Sequence, residues 1–78
     1  MYRAALVRIQ GVVQAVGFRP FVYRVAVKHG LRGYVTNLED ATVEVLVEGD
    51  EDSIKAFLRD LRREAPPVAE IRKVDVYW

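Results

Sequence analysis

The chain has 78 residues, of which 51% are hydrophobic and 29% are charged, with 12 Lys and Arg against 11 Asp and Glu. A chain of this length fits one domain that hides only about 60% of its unfolded surface on folding, so a large enclosed pocket is not expected. The net charge of +1, with acids and bases interspersed, argues against a nucleic-acid binder, which would carry a basic face. The chain has no cysteine, which excludes disulfides, thiolate catalysis and cysteine-bound zinc.

The sequence has no segment that approaches the roughly 18 consecutive apolar residues of a membrane span. Its start, MYRAALVRIQ, has neither the basic leader nor the apolar block of a secretory signal. We therefore expect a cytoplasmic protein that does not contact a membrane. No repeat, linker or low-complexity stretch divides the chain, so residues 1–78 are interpreted as a single domain.

The first half of the chain predicts a strand, a loop and a helix. Alternation over residues 3–9 predicts the strand, and the loop follows over residues 10–18, QGVVQAVGF. Apolar residues at helical spacing begin with Pro20, which suits the first position of a helix. This pattern runs to about His29, and Gly30 then supplies a stop signal.

The second half predicts a hairpin, a second helix and a last strand. Residues 31–37 and 42–49 are interpreted as strands joined by the short turn LEDA, and the second of them alternates valine with Thr and Glu. Asp50 is predicted to cap a helix that a pair of prolines ends. Residues 68–78 predict the last strand, in which a change of apolar phase indicates a bulge or a register change.

The order strand, helix, strand, strand, helix, strand is the split βαβ arrangement of ferredoxin-like α+β folds. It predicts a four-stranded antiparallel sheet with two helices on one face and a solvated opposite face. Tyr34 and Tyr2 are the aromatic residues that such a face would offer to RNA, and the neighbouring acids argue against that use.

The stretch VQAVGFRPF, residues 13–21, places a small-residue loop before Arg19 and a helix. A helix N-terminus offers unpaired N–H groups and a partial positive charge. Gly17 lets the backbone bend close to a ligand, and the Arg19 guanidinium can hold two phosphate oxygens. Short glycine motifs also recur by chance, so from this stretch alone a plain turn with a solvated arginine is the simpler interpretation.

Two segments, GVVQAVGFR and GYVTNLEDATVEVLVEG, resemble the signatures of the acylphosphatase family. Those signatures are a loop of the form VQGVGFR and, on the second strand, a glycine, an aromatic residue and an asparagine at set spacings. GFRPFVYR is most similar to the N-terminal domain of the HypF-type carbamoyltransferases that mature nickel–iron hydrogenases. The resemblance covers essentially the whole chain and implies the same ferredoxin-like fold.

The resemblance implies an enzyme that hydrolyses an acyl phosphate, such as carbamoyl phosphate, to a carboxylate and phosphate without a cofactor or a metal. By position, Arg19 would hold the phosphate and Asn37 would orient the attacking water. The phosphate-binding loop would cradle the phosphoryl oxygens with the backbone amides of Gln14, Ala15, Val16, Gly17, Phe18 and Arg19. The implied partners are the acyl phosphate, the phosphate ion, other domains of a HypF-type protein and a hydrogenase maturation partner, and we expect the isolated domain to be a monomer.

Other polar residues are given structural roles. His29 is the only histidine, and at a predicted helix end a favourable contact with the helix dipole is expected of it. Glu39 and Asp40 fall in the predicted turn, where acids are commonly solvated, so we interpret them as solvated residues and not as a metal pair.

Two alanines depart from the family pattern. Ala15 stands where the loop signature has glycine, and Ala41 replaces another usual glycine in the turn. If position 15 requires a positive φ, alanine costs about 1 kcal/mol there, so weakened turnover is expected. Two alternatives stay open beside the HypF-type domain, namely a free-standing acylphosphatase and an anion-binding module with impaired turnover.

Overall fold

The computed structural model describes residues 1–14 and 17–78. In chain order the elements are β1 (Tyr2–Val12), α1 (Phe18–Lys28), β2 (Arg32–Asn37), β3 (Thr42–Asp50), α2 (Glu51–Arg63) and β4 (Glu70–Tyr77). The strands form one antiparallel sheet in the order β2-β3-β1-β4. The predicted ferredoxin-like fold is confirmed.

The core lies between one face of the sheet and the two helices. Val7 of β1 and Val35 of β2 both pair with Val45 of β3, so these three valines form a row across three strands on the covered face. Phe18 of α1 and Phe57 of α2 are almost completely buried against this face. The alternation of valine with polar residues, which predicted β3, is what gives the sheet its buried face.

Helix α2 begins as its sequence predicts. Asp50 has extended backbone angles, and its side chain accepts a hydrogen bond from the Asp52 N–H at 3.1 Å. Glu51 and Asp52 supply negative charge in the first turn, while Arg62 and Arg63 lie in the last turn. Both ends of α2 therefore carry the charges that a helix dipole favours.

Strand β1 is longer than its alternation predicts. It continues to Val12, three residues past the predicted end at Ile9, because Gly11 and Val12 pair with β4. The register between β1 and β4 shifts after Gln10, which leaves Arg72 as the extra residue of a bulge. The predicted bulge or register change is confirmed. The predicted end of β1 was wrong, because the extension depends on pairing with β4, which is distant in sequence.

Helix α1 begins at Phe18, two residues before the predicted start, so Pro20 occupies the third helical position. At the other end, Lys28 is the last helical residue and His29 is the C-cap. The predicted start assumed that Pro20 occupies the first helical position. It was wrong because Gly17 is the N-cap, so the helix begins two residues earlier. Proline is still accommodated there, since a first-turn residue has no intrahelical partner for its N–H group.

His29 joins the two helices. Its Nε2 lies 2.8 Å from Oδ2 of the buried Asp60 in α2, and Lys28 Nζ lies 3.3 Å from the same oxygen. The hydrogen bond from His29, opposed by desolvation and assisted by Lys28, lowers the pKa of Asp60 to about 2. The histidine at the predicted helix end thus contacts a specific carboxylate, which the sequence did not indicate.

Candidate functional site

The last residues of β1 and β2 meet at one end of the sheet, where α1 also begins. Asn37, the last residue of β2, pairs with Val43, and Val43 pairs with Ile9 of β1. Directly opposed residues of an antiparallel sheet point to the same face. Because Ile9 and Val43 are fully buried beneath the helices, Asn37 projects from the helix-bearing face at the end where the chain enters α1.

The N-terminus of α1 has no capping side chain among the described residues. Gly17 is the N-cap with φ of 91°, in the left-handed region, and the first turn contains no acidic residue. Phe18 anchors this turn because its side chain is only 1% exposed. The Phe21 N–H closes the turn on the Gly17 carbonyl at 3.0 Å, so the N–H groups of Phe18 and Arg19 have no carbonyl partner within the helix.

The two helix N-termini therefore differ in charge. Helix α2 is capped by Asp50 and has two further acids in its first turn, so its partial positive charge is met by the chain itself. Helix α1 keeps its partial positive charge, and the exposed Arg19 adds a full one in the same turn. Such a terminus attracts an anion.

The side chains of Arg19 and Asn37 are both exposed. None of the ion pairs among the described residues includes Arg19. Within the same part of the chain, neither residue takes part in a side-chain hydrogen bond. Their polar groups are therefore directed to solvent and are available to a ligand.

The loop after β1 is tied to the turn between β2 and β3 by the Gln14 side chain. Gln14 Nε2 donates to the carbonyl oxygens of Leu38, at 2.6 Å, and Thr42, at 2.8 Å. Leu38 directly follows Asn37, so these bonds connect the segment that leads to Arg19 with the strand that carries Asn37. From the sequence, Gln14 was predicted to contribute only its backbone amide. Its side-chain contacts with Leu38 and Thr42 were not predicted, because contacts between residues so far apart in sequence leave no local pattern.

Ala15 and Val16 lie outside the described residues. The predictions that their amides bind phosphate, and that Ala15 needs a positive φ, therefore concern residues that the structure does not describe. The other departure from the family pattern is described. Ala41 has φ of 56° and the preceding Asp40 has φ of 61°, both in the left-handed region. Alanine thus occupies a conformation that favours glycine.

Glu39 and Asp40 lie in the turn between β2 and β3, and both are exposed. Within residues 1–14 and 17–78, no three His, Cys, Asp or Glu side chains are arranged to hold a metal ion. Among the same residues, no helix is long and apolar enough to cross a membrane.

The solvated face of the sheet carries carboxylates beside its tyrosines. The Tyr34 hydroxyl donates to Glu44 at 2.9 Å, and the Tyr2 hydroxyl donates to Glu48 at 3.2 Å. Arg8 Nε also lies 3.3 Å from Glu44. Tyr34 and Tyr2, the two aromatic candidates for RNA binding, therefore each have a neighbouring carboxylate. A carboxylate repels the phosphate backbone of RNA.

The structure is a ferredoxin-like sandwich in which the N-terminus of α1, with Arg19 in its first turn, lies at the same end of the sheet as Asn37, the last residue of β2. A family model for acylphosphatase matches residues 5–78. The chain belongs to the acylphosphatase family.

Curated relatives fall into two kinds. The chain is 49% identical over 70 residues to an acylphosphatase of Deinococcus radiodurans, covering 90% of this chain and 79% of that protein. It is 47% identical over 70 residues to a probable carbamoyltransferase HypF of Methanocaldococcus jannaschii, covering 90% of this chain but 9% of that protein. The chain thus spans about four fifths of a small acylphosphatase and about a tenth of a HypF protein.

Solved structures show the same two kinds. Full-length HypF in a phosphate- and nucleotide-bound form superposes with a TM-score of 0.92 at 38% identity, over 99% of this chain and 10% of HypF. The acylphosphatase of Bacillus subtilis superposes with a TM-score of 0.89 at 34% identity, over 99% of this chain and 83% of that chain. The resemblance to acylphosphatases and to a HypF domain is confirmed.

Proposed function

We propose that this chain hydrolyses an acyl phosphate, of which carbamoyl phosphate is the preferred candidate, to a carboxylate-type product and phosphate. What supports the proposal is the uncapped, arginine-bearing start of α1 at the same end and face of the sheet as Asn37. Membership of the acylphosphatase family supports it independently. Residues 1–78 would act as one domain, in the cytoplasm, without a cofactor.

In the proposed complex, the phosphoryl group lies over the N-terminus of α1. The backbone amides of residues 14–19 donate to its oxygens, and the Arg19 guanidinium holds two of them with parallel N–H bonds. Gly17 makes the entry into the helix with a left-handed backbone conformation. Donors aimed at the phosphoryl oxygens would stabilise the charge that develops there.

In the proposed reaction, Asn37 holds the attacking water through a hydrogen bond to its side-chain amide. The water oxygen forms a bond to phosphorus, and the bond from phosphorus to the acyl oxygen breaks. The carboxylate or carbamate leaves with the electron pair, and a water proton passes to an oxygen of the phosphate. This leaving group is stable as an anion at neutral pH, so positioning and electrostatic stabilisation can supply the catalysis without a side-chain acid.

The lone histidine is not needed in this scheme. His29 lies at the far end of α1 from Arg19 and is hydrogen-bonded to Asp60. A reaction that expels a carboxylate does not require it as a proton donor.

The similarity to HypF supports a particular setting for this activity. We infer that the chain is the N-terminal domain of a HypF-type carbamoyltransferase, in which hydrolysis of carbamoyl phosphate to carbamate feeds a later carbamoyl transfer. The remaining HypF domains and a hydrogenase maturation partner would take the product onward. The second candidate is a free-standing acylphosphatase, which is favoured by the similarity to the acylphosphatases of Deinococcus radiodurans and Bacillus subtilis.

The test is steady-state hydrolysis of benzoyl phosphate and carbamoyl phosphate by the parent, Arg19→Ala and Asn37→Ala. Arg19→Ala should lower the rate by at least about 10²- to 10³-fold, by comparison with the loss of one oxyanion donor. Arg24→Ala is the matched control, because Arg24 is an exposed arginine of α1 beyond the first turn and should leave the rate near the parent value. A parent without hydrolysis that depends on Arg19 would exclude the proposed activity.

Ala15→Gly separates an enzyme from an anion-binding module with impaired turnover. If the parent is inactive and Ala15→Gly hydrolyses benzoyl phosphate, the loop is a cradle that alanine disables. Calorimetry with inorganic phosphate then tests whether the parent still binds the anion. If the parent binds phosphate and Arg19→Ala does not, the loop is an anion-binding module with impaired turnover. If the parent does not bind phosphate, that alternative is excluded.

A further inference from the structure

The side chain of Gln14 bridges two segments that are remote in sequence. Its Nε2 donates to the Leu38 carbonyl at 2.6 Å and to the Thr42 carbonyl at 2.8 Å, across 24 and 28 residues. Carbonyl oxygens only accept hydrogen bonds, so the amide nitrogen must be the atom that faces them. Both N–H groups of the Gln14 amide are therefore used in this bridge.

The bridge holds a turn that local preferences alone do not favour. The Leu38 N–H also donates to the Thr42 carbonyl, at 2.7 Å, so Thr42 accepts two bonds at the base of the turn. Between these residues, Asp40 and Ala41 have φ of 61° and 56°. The left-handed conformation is disfavoured for residues other than glycine, more so for alanine than for aspartate, so contacts from outside the turn help to hold it.

Each end of the bridge adjoins a residue of the proposed site. On one side, the fully buried Val13 fixes the backbone just before Gln14, and the loop then leads to Arg19. On the other side, Leu38 is the residue after Asn37. One side chain thus connects the end of β1, from which the chain continues to Arg19, with the residue that follows Asn37.

We propose that Gln14 is a positioning residue, whose side chain holds Asn37 at the distance from the phosphate cradle that the attacking water requires. This role rests on the proposed acyl phosphate hydrolysis. Gln14 acts through Asn37, so the loss of its side-chain amide slows the attack of water and leaves the binding of phosphate by Arg19 intact. A displacement of about 1 Å in such a site is enough to lower a rate about 100-fold.

The first variant is Gln14→Met, which keeps the length of the side chain and removes both donors without adding charge. The matched control is Gln10→Met. Gln10 Nε2 lies 3.5 Å from the side-chain hydroxyl of Thr42 and does not bridge to the carbonyl oxygens of the turn. With benzoyl phosphate as substrate, Gln14→Met should lower kcat about 10- to 100-fold while the inhibition constant of inorganic phosphate is unchanged. Gln10→Met should match the parent in both quantities.

A second variant guards against a loss of folding. Gln14→Asn keeps the amide but is one methylene too short to reach both carbonyls, so it should lower kcat as Gln14→Met does. Urea midpoints of both variants verify that the folded protein is being assayed.

The role through Asn37 is tested by combining variants. Once Asn37→Ala has removed the group that holds the water, adding Gln14→Met should lower kcat no further, because residues that act as one unit are not additive. A purely structural role predicts the opposite result, with a further loss of kcat and weaker inhibition by phosphate. That result would overturn the positioning role.

The outcomes also distinguish this inference from the proposed function. A parent without hydrolysis dependent on Arg19 overturns the proposed function and the positioning role together. If the parent is active, Arg19→Ala is inactive and Gln14→Met equals Gln10→Met, only the positioning role is overturned.

Discussion

Replacing Gly33 with alanine should separate β2 from β3. Gly33 pairs with Val47 and has φ of 144°, in the region that favours glycine. A Cβ atom there would lie 1.7 Å from the Leu46 carbonyl oxygen and 2.6 Å from its carbon. Real Cβ contacts essentially never fall below 3.0 Å, so the two strands must move apart by 1.3 Å merely to reach that limit.

The expected loss follows from the position of β2. It is an edge strand, held in the sheet only through its ladder with β3 over residues 32–37. A separation of this size stretches ladder hydrogen bonds of about 2.9 Å beyond useful length near Gly33. With roughly 1 kcal/mol for each of two or more lost bonds and about 1 kcal/mol for the alanine φ, we expect a loss of about 3 kcal/mol in the free energy of unfolding.

Urea unfolding followed by far-ultraviolet circular dichroism measures this loss. Gly30→Ala is the matched control, because Gly30 has φ of 69° but an added Cβ would meet no atom within 4 Å. Only the φ penalty of about 1 kcal/mol is expected there. Gly33→Ala should also lower hydrolysis more than Gly30→Ala, since Asn37 ends the same strand. If the two variants unfold at the same urea concentration, the close approach of β2 and β3 is refuted.

Three further changes test separate parts of the structure. Because the pKa of Asp60 is lowered from 3.8 to about 2, its stabilising contribution is present above about pH 4 and is lost as the pH falls toward 2. Asp60→Asn should therefore lower Tm at neutral pH and flatten its decline in acid, whereas an unchanged acid profile would count against the His29 bridge. Ala41→Gly should raise the free energy of unfolding by about 0.5–1 kcal/mol in urea titrations, because glycine tolerates φ of 56°, and a lower value would contradict the left-handed turn. Phe57→Ala should cost about 3–5 kcal/mol in the same titrations by emptying a fully buried site, and a cost below about 1 kcal/mol would show that the ring is not part of the core.

Local patterns along the sequence determined the elements and the candidate residues. Valines at alternate positions predicted β3 and its buried face, and Asp50 predicted the start of α2 that its hydrogen bond to Asp52 now explains. Each of these signals lies within a few residues, where strand and helix geometry act directly. The loop motif and the strand motif nominated Arg19 and Asn37 in the same way, by residue type and spacing.

Only the tertiary structure decided which of these parts meet. The strand order β2-β3-β1-β4 places the end of β2 at the same end of the sheet as the end of β1, and pairing with β4 extends β1 to Val12. It also lets Gln14 reach carbonyls 24 and 28 residues away and lets His29 reach Asp60 across 31 residues. The physical reason is the same in each case: the partner is remote in sequence, and the free energy of the contact depends on a sheet order that residue periodicity does not encode.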